Sequence, residues 1–198
     1  MKAPFLATAF LASLALPASA QQTSPPQTSA PQTSAPQTST PQTSTPQASA
    51  QQASASFIDG QGKDIGSAKL TQTPNGVLVE LDLRGLPPGE HAFHVHEKGS
   101  CDAGGKFASA GGHFALGHKH GFMTEGGPHP GDMPNQFVGS DGALRAQVFN
   151  AGVTLGSGPS SLFGPDGTAL VFHAGKDDYS SQPAGNSGDR IACAVIKK

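Results

Sequence analysis

The stretch Asn75-Gly76 followed by Val77-Leu78-Val79-Glu80-Leu81-Asp82-Leu83 narrows the fold of this chain more than any other. Asn-Gly between two apolar runs signals a hairpin, because both residues tolerate the positive φ that a tight turn needs. From Val79 onward apolar and charged residues alternate with period two, so the strand has one buried and one wet face. The same grammar recurs along the chain. Phe57-Ile58 stops at Asp59-Gly60, and Ile65–Thr73 puts Ala68 and Leu70 on one face. Pro87-Pro88-Gly89 turns into a strand over His91–His96. Gln136–Gly139 and Ala143–Phe149 read as a hairpin over Asp141-Gly142, with Leu144, Ala146 and Val148 inward and Arg145 and Gln147 outward. Asp166-Gly167 turns into Thr168–Ala174, and Arg190–Ile196 is the last strand. Nothing repeats with helical period. The expectation is one all-β antiparallel domain of about eight short strands over residues 55–198, a sandwich or a Greek-key barrel.

The remainder of the 198 residues has a different character. Met1–Ala20 has a basic Lys2, a mostly apolar Pro4–Leu16 and a small-residue Ala18-Ser19-Ala20 end, which is the pattern of a secretory signal peptide. It is too short to span a bilayer, and no later apolar run approaches the roughly 20 residues that spanning needs. Residues 21–54 carry a Gln-Thr-Ser-x-Pro repeat without charge or large apolar side chains. Such a segment buries too little surface to offset the entropy of ordering, and it reads as a disordered, extended spacer suited to O-glycosylation. Export implies a periplasmic or extracellular destination and an oxidising compartment. There the two cysteines, Cys101 and Cys193, read as one intramolecular bridge, against the alternative of two free buried thiols. A bridge would contribute on the order of 4 kcal/mol in the chain-entropy treatment. The net charge of −2, with no basic run and no basic–aromatic stripe, argues against nucleic acid or an anionic membrane as partner.

Histidines carry the chemistry. In His91-Ala92-Phe93-His94-Val95-His96 successive side chains alternate faces, so His94 and His96 lie side by side and His91 falls on the other face. Two imidazoles on one strand face are half of a metal site, or a pair of ordinary surface histidines. Lys98–Pro134 and Gly175–Asp189 have no periodicity and are rich in glycine, and loops of that length in a compact domain are usually functional or disordered. They hold Ala110-Gly111-Gly112-His113-Phe114, Lys119-His120-Gly121, His129-Pro130-Gly131-Asp132 and Asp177-Asp178. Val171-Phe172-His173 ends a strand between them. If Leu170 and Phe172 pack inward as Phe93 and Val95 do, His94, His96 and His173 share the outer wall of the barrel.

Taken together, Phe-His-Val-His, Ala-Gly-Gly-His-Phe, His-x-x-Asp and Gly-Asp-Arg190-Ile-Ala-Cys193, in this order from about Phe57 to the C-terminus, resemble the Cu/Zn superoxide dismutases of the exported bacterial kind. The resemblance implies an eight-stranded antiparallel Greek-key β-barrel of immunoglobulin-like sandwich architecture with two long functional loops. It implies copper on His94, His96, His113 and His173, and zinc on His113, His120, His129 and Asp132, so one copper ion and one zinc ion per chain share His113. It implies a Cys101–Cys193 disulfide, an Asp177 that links His94 to His120, and catalytic roles for Arg190, which holds superoxide, and His113, which supplies a proton. The implied reaction converts superoxide to dioxygen and hydrogen peroxide by cyclic reduction and reoxidation of copper. A monomer or a homodimer is compatible with the resemblance.

Rival readings are an exported copper/zinc store and a copper-delivery protein, neither with turnover. The full ligand set, Arg190 and Asp177 weigh against both. His118, two residues before His120, stays open as a substitute or surface ligand, although the Lys-His-Gly pattern favours His120. A surface ion pair with Asp189 is the alternative for Arg190. Lys106, Lys119 and Lys176 lie in the loops from which superoxide could be steered.

Overall fold

The computed structural model describes residues 50–198, so the expected signal peptide and nearly all of the repeat lie outside the described residues. Eight strands follow in chain order: β1 Gln52–Asp59, β2 Asp64–Thr73, β3 Gly76–Arg84, β4 Gly89–His96, β5 Asp132–Val138, β6 Ala143–Asn150, β7 Ala169–His173 and β8 Arg190–Val195. A single 3-10 turn, Ala108–Ala110, interrupts the long loop after β4. Every ladder is antiparallel, and the sheet runs β5-β4-β7-β8-β1-β2-β3-β6. The neighbours β1–β8, β4–β7 and β3–β6 are not consecutive in sequence, which is the crossover signature of a Greek key. β5 and β6, the two ends of this order, face each other and nearly close the barrel. Among the described residues no helix is long and apolar enough to cross a membrane.

Alternation decides which side chains are inside. Phe57, Leu70, Val79, Leu81, Phe93, Val95, Leu170 and Phe172 belong to one continuous interior core. Phe172 stacks on Phe93 with ring centroids 4.4 Å apart and tilts against Phe57 at 5.6 Å. On the opposite faces of β7 and β8, Ala169, Val171 and Cys193 meet Phe107 and Ala110 of the loop after β4 in a smaller cluster outside the barrel. Cys101 and Cys193 form the disulfide across a separation of 92 residues and fasten that loop to β8.

Three details differ from the sequence reading. β1 begins at Gln52 rather than near Phe57, because Ala53 and Ala55 alternate inward and Ser54 exchanges two main-chain hydrogen bonds of 2.8 Å with Lys197. Alanine and serine look the same in a strand as in the repeat, so composition hides this start. The β2–β3 turn is Pro74-Asn75, since Thr73 pairs with Gly76. Gly76 is needed for a different reason: at its φ of 146° a Cβ would overlap the carbonyl of Asn150 on β6. Finally, the Gly139–Ala143 turn is present, with Gly139 N–H donating to Ala143 O at 3.0 Å, but it does not continue into a β5–β6 ladder. β5 pairs with β4 and β6 pairs with β3, so the expected hairpin is the seam of the barrel.

Candidate metal centre

β4 supplies His94 and His96 on its outward face, while Phe93 and Val95 point into the core. β7 pairs with β4 and brings His173 to the same wall. The loop after β4 folds back so that His113 forms an isolated bridge with His96, and β5 starts with Asp132 directly opposite His94. Register therefore places four of the side chains, and the loops deliver the others. His94, His96, His113, His120, His129, Asp132, His173 and Asp177 are all buried. Burying this many imidazoles and carboxylates is costly unless they are paired or hold ions.

Two donor sets share one residue. Potential ligand atoms of His94, His96, His113 and His173 lie within 4.8 Å of one another, as do those of His113, His120, His129 and Asp132. In the second set a single carboxylate oxygen, Asp132 Oδ1, is 3.1 Å from His113 Nδ1, 3.1 Å from His120 Nδ1 and 3.2 Å from His129 Nδ1. His113 Nδ1 and His129 Nδ1 are 3.4 Å apart. A tetrahedron of ligands ~2.0 Å from zinc has edges of about 3.3 Å, so these spacings fit that ion without rearrangement. In the first set His94 Nδ1 and His113 Nε2 are buried with no hydrogen-bond partner. His96 Nε2 and His173 Nε2 face each other at 3.4 Å. Bare ring nitrogens converging on one point are what a bound copper ion requires.

The other ring nitrogens are tied down. His96 Nδ1 donates to Gly111 O at 3.1 Å and His173 Nδ1 to Gly188 O at 3.2 Å. Asp177 accepts from His94 Nε2 at 2.8 Å through one oxygen and from His120 Nε2 at 2.9 Å through the other. A partner on one nitrogen fixes the tautomer and leaves the second nitrogen free for a metal. Asp177 is itself held by Asn135, whose side-chain amide accepts from Asp177 N–H at 2.9 Å and donates to Asp177 O at 3.0 Å. Gly185, with φ of 68°, lets the loop between β7 and β8 pass directly over this link, because a Cβ there would overlap Asp177 Oδ1.

Electrostatics follow from burial. Burial lowers the pKa of His94 to about 4 and of His173 to about 3, and lowers His96 further. Burial also lowers His129. It acts in the same direction on His120, but hydrogen bonds and charge from Asp132 and Asp177 outweigh it and raise that histidine to about 9. Burial raises Asp132 and Asp177, yet their histidine partners reverse this and hold both well below the usual carboxylate range.

Arg190 lies beside His96 and His173 and lines a surface pocket with His173, Ala184, Asn186 and Gly188. Its guanidinium donates to Phe107 O and Gly111 O, both at 2.6 Å, and among the described residues no ion pair joins it to Asp189. Of the three loop lysines, Lys106 lines a pocket together with Arg190 and Asp189, whereas Lys119 and Lys176 line neither of the pockets that include Arg190. His91 belongs to neither donor set: its two ring nitrogens are each 2.8 Å from a main-chain carbonyl, those of His173 and Pro87. His118 is exposed and belongs to neither donor set. Sequence reasoning missed Asn135 and the carbonyls of Gly111 and Gly188. A carbonyl carries no residue signature, and an asparagine after a proline reads as a turn.

Fold and donor sets together define a Greek-key barrel with two adjoining sets of potential metal ligands on its outer wall. The sequence pattern of the family described as copper/zinc superoxide dismutase (SODC) matches residues 65–196, and the chain belongs to that family. It is 52% identical over 146 residues to superoxide dismutase [Cu-Zn] 2 of Aquifex aeolicus, covering 72% of this chain and 85% of the relative. Among solved structures it is similar to the SOD-like protein from Bacillus subtilis, at 35% identity and a TM-score of 0.68, covering 72% of this chain and 96% of that one. It is also similar to the Cu/Zn superoxide dismutase from Brucella abortus, at 28% identity and a TM-score of 0.60, covering 74% of this chain and 100% of the other.

Proposed function

We propose that this chain is an exported superoxide dismutase that converts superoxide to dioxygen and hydrogen peroxide. One copper ion would be held by His94, His96, His113 and His173, and one zinc ion by His113, His120, His129 and Asp132. The observation that carries the reading is His113: its Nδ1 lies in the zinc-type donor set, while its buried Nε2 lacks any partner and faces the copper-type set. Copper would supply the reversible one-electron couple and zinc a fixed charge that shapes the site.

The chain's own residues do the remaining work. Arg190 commits two N–H donors to carbonyls, which locks its orientation, and its other donors are left for a small anion. His113 Nε2 is the atom at which a proton can be held next to that anion. Asp177 keeps His94 and His120 in the tautomers that expose Nδ1. A metal store needs neither Arg190 nor a shared histidine, which is why turnover is favoured over storage.

Export is supported by the Met1–Ala20 pattern and by the disulfide, since such bridges persist in oxidising compartments. The repeat would then be a tether between the cleavage site and β1, and the destination periplasmic or extracellular. The test is direct. Purified protein is loaded with both metals, its metal content is measured, and dismutation is assayed. One copper and one zinc per chain with turnover is expected; full metal occupancy without turnover would overturn the enzyme reading.

A further inference from the structure

We propose that Gln182 is a positioning residue that grips the main chain of His120 and so makes retention of the zinc-side metal depend on the loop between β7 and β8. The proposal rests on the metal reading above. His120 is fully buried but lies in irregular chain, where no strand ladder serves its peptide groups. Its N–H donates to Gln182 Oε1 at 2.9 Å, and its C=O accepts from Gln182 Nε2 at 2.8 Å. One carboxamide therefore stands in for a strand partner on both sides of a single residue. Gln182 Nε2 also donates to Ser180 O at 3.0 Å, so both amide protons are used and the orientation of the amide is unambiguous.

His120 is thus held twice from the same loop, by Asp177 at its ring and by Gln182 at its backbone. Asp177 and Asp132 fix the ring, but a loose backbone would carry the ring with it, and the Gln182 grip removes that freedom. Among the described residues no equivalent grip reaches the copper-side ligands: His94 is held by Asp177, and His96 and His173 by main-chain carbonyls. The side chain of Gln182 is itself exposed, so water can partly replace it when it is removed. That places the expected effect at the low end of the 10- to 100-fold range typical of residues that orient metal ligands, roughly 10-fold.

The experiment uses the full chain loaded with copper and with either zinc or cobalt(II) in the second site. Zinc release to a chromophoric chelator gives a rate, the visible absorption of cobalt reports the geometry around His120, and Cu(II) electron paramagnetic resonance reports the other site. Gln182→Ala should release zinc about 10-fold faster and alter the cobalt spectrum. Gln182→Glu should release zinc at least as fast as Gln182→Ala, because the carboxylate donates to nothing and sets a second oxygen against the carbonyls of His120 and Ser180. Lys176→Arg, an exposed and charge-conserving change in the same loop, should match wild type. The copper spectrum should be the same in all. Wild-type release from Gln182→Ala overturns the proposal, as does a copper spectrum disturbed in step with the zinc site, which would mean general loosening. If wild-type protein binds neither zinc nor cobalt at this site, the metal reading itself fails and the proposal falls with it. Normal wild-type binding with an unaffected Gln182→Ala sinks the proposal alone.

Discussion

At the scale of single residues, the centre divides its labour by chemistry. Burial lowers the proton affinity of His94, His96, His129 and His173, carboxylates fix tautomers and raise that of His120, and one guanidinium stays positively charged beside the site. Arg190 is the clearest case, because its two hydrogen bonds to carbonyls orient it without neutralising it. Arg190→Ala should keep its metals and lose roughly 10-fold or more in kcat/KM, with a weaker dependence on ionic strength, since steering and anion binding both depend on that charge. Stopped-flow dismutation at two salt concentrations checks this; unchanged kcat/KM would remove Arg190 from the machinery. Asp177→Asn should lower metal affinity about 10- to 100-fold, because the amide cannot accept from both His94 and His120 as the carboxylate does. Competition with a calibrated chelator measures it, and wild-type affinity would contradict the role given to Asp177.

At the scale of elements, the strands that build the site were the most legible part of the sequence. The parity of Phe93, His94, Val95 and His96 fixed which residues face the core, and pairing with β7 brought in His173. What stayed hidden were features that depend on long-range partners. β5 starts at Asp132, four residues earlier than the apolar pattern suggests, because its pairing with β4 overrides the loop-like Pro134. β1 starts within the repeat-like composition for the same reason. At the site itself the side chains of the two donor sets were named through the family resemblance, whereas Gly111 O, Gly188 O and the amides of Asn135 and Gln182 were not. Those groups act through backbone geometry that no motif records. One prediction belongs here. Gly185→Ala should displace the loop between β7 and β8, since the added carbon would overlap Asp177, and should cost about 1–3 kcal/mol through strain at positive φ. Denaturant unfolding measures that cost; stability unchanged to within a few tenths of a kcal/mol would contradict so close an approach of Gly185 to Asp177.

At the scale of the whole molecule, a barrel with one core holds a polar centre on its outside, and the long loops are fastened by the disulfide and by the centre itself. Closing 92 residues with the Cys101–Cys193 bridge stabilises the fold by about 4–5 kcal/mol in the chain-entropy treatment. The metal-free protein should depend on pH in a definite way. His94, His96, His129 and His173 have folded pKa values below the ordinary 6.5, so the unfolded chain binds more protons as pH falls below that value. Stability must then decline on acidification, by up to about 1.4 kcal/mol per pH unit for each group. His120, raised to about 9, works the other way: its contribution is complete below 6.5 and is lost as pH rises through 9. The carboxylates of Asp132 and Asp177, held low, lose their contribution only at the acid extreme. Thermal unfolding of the metal-free protein should therefore show its highest Tm near neutrality and a steep fall toward pH 4. A flat Tm between pH 7 and 4.5 would contradict the burial of these histidines.

Two ions of different kinds share His113: that is the central claim. Anomalous diffraction from crystals of the metal-loaded protein, collected on either side of the copper and zinc absorption edges, tests it most directly. Copper is predicted among His94, His96, His113 and His173, and zinc among His113, His120, His129 and Asp132, with the ring of His113 between them. A single kind of ion in both positions, or His113 turned away from either one, would contradict it.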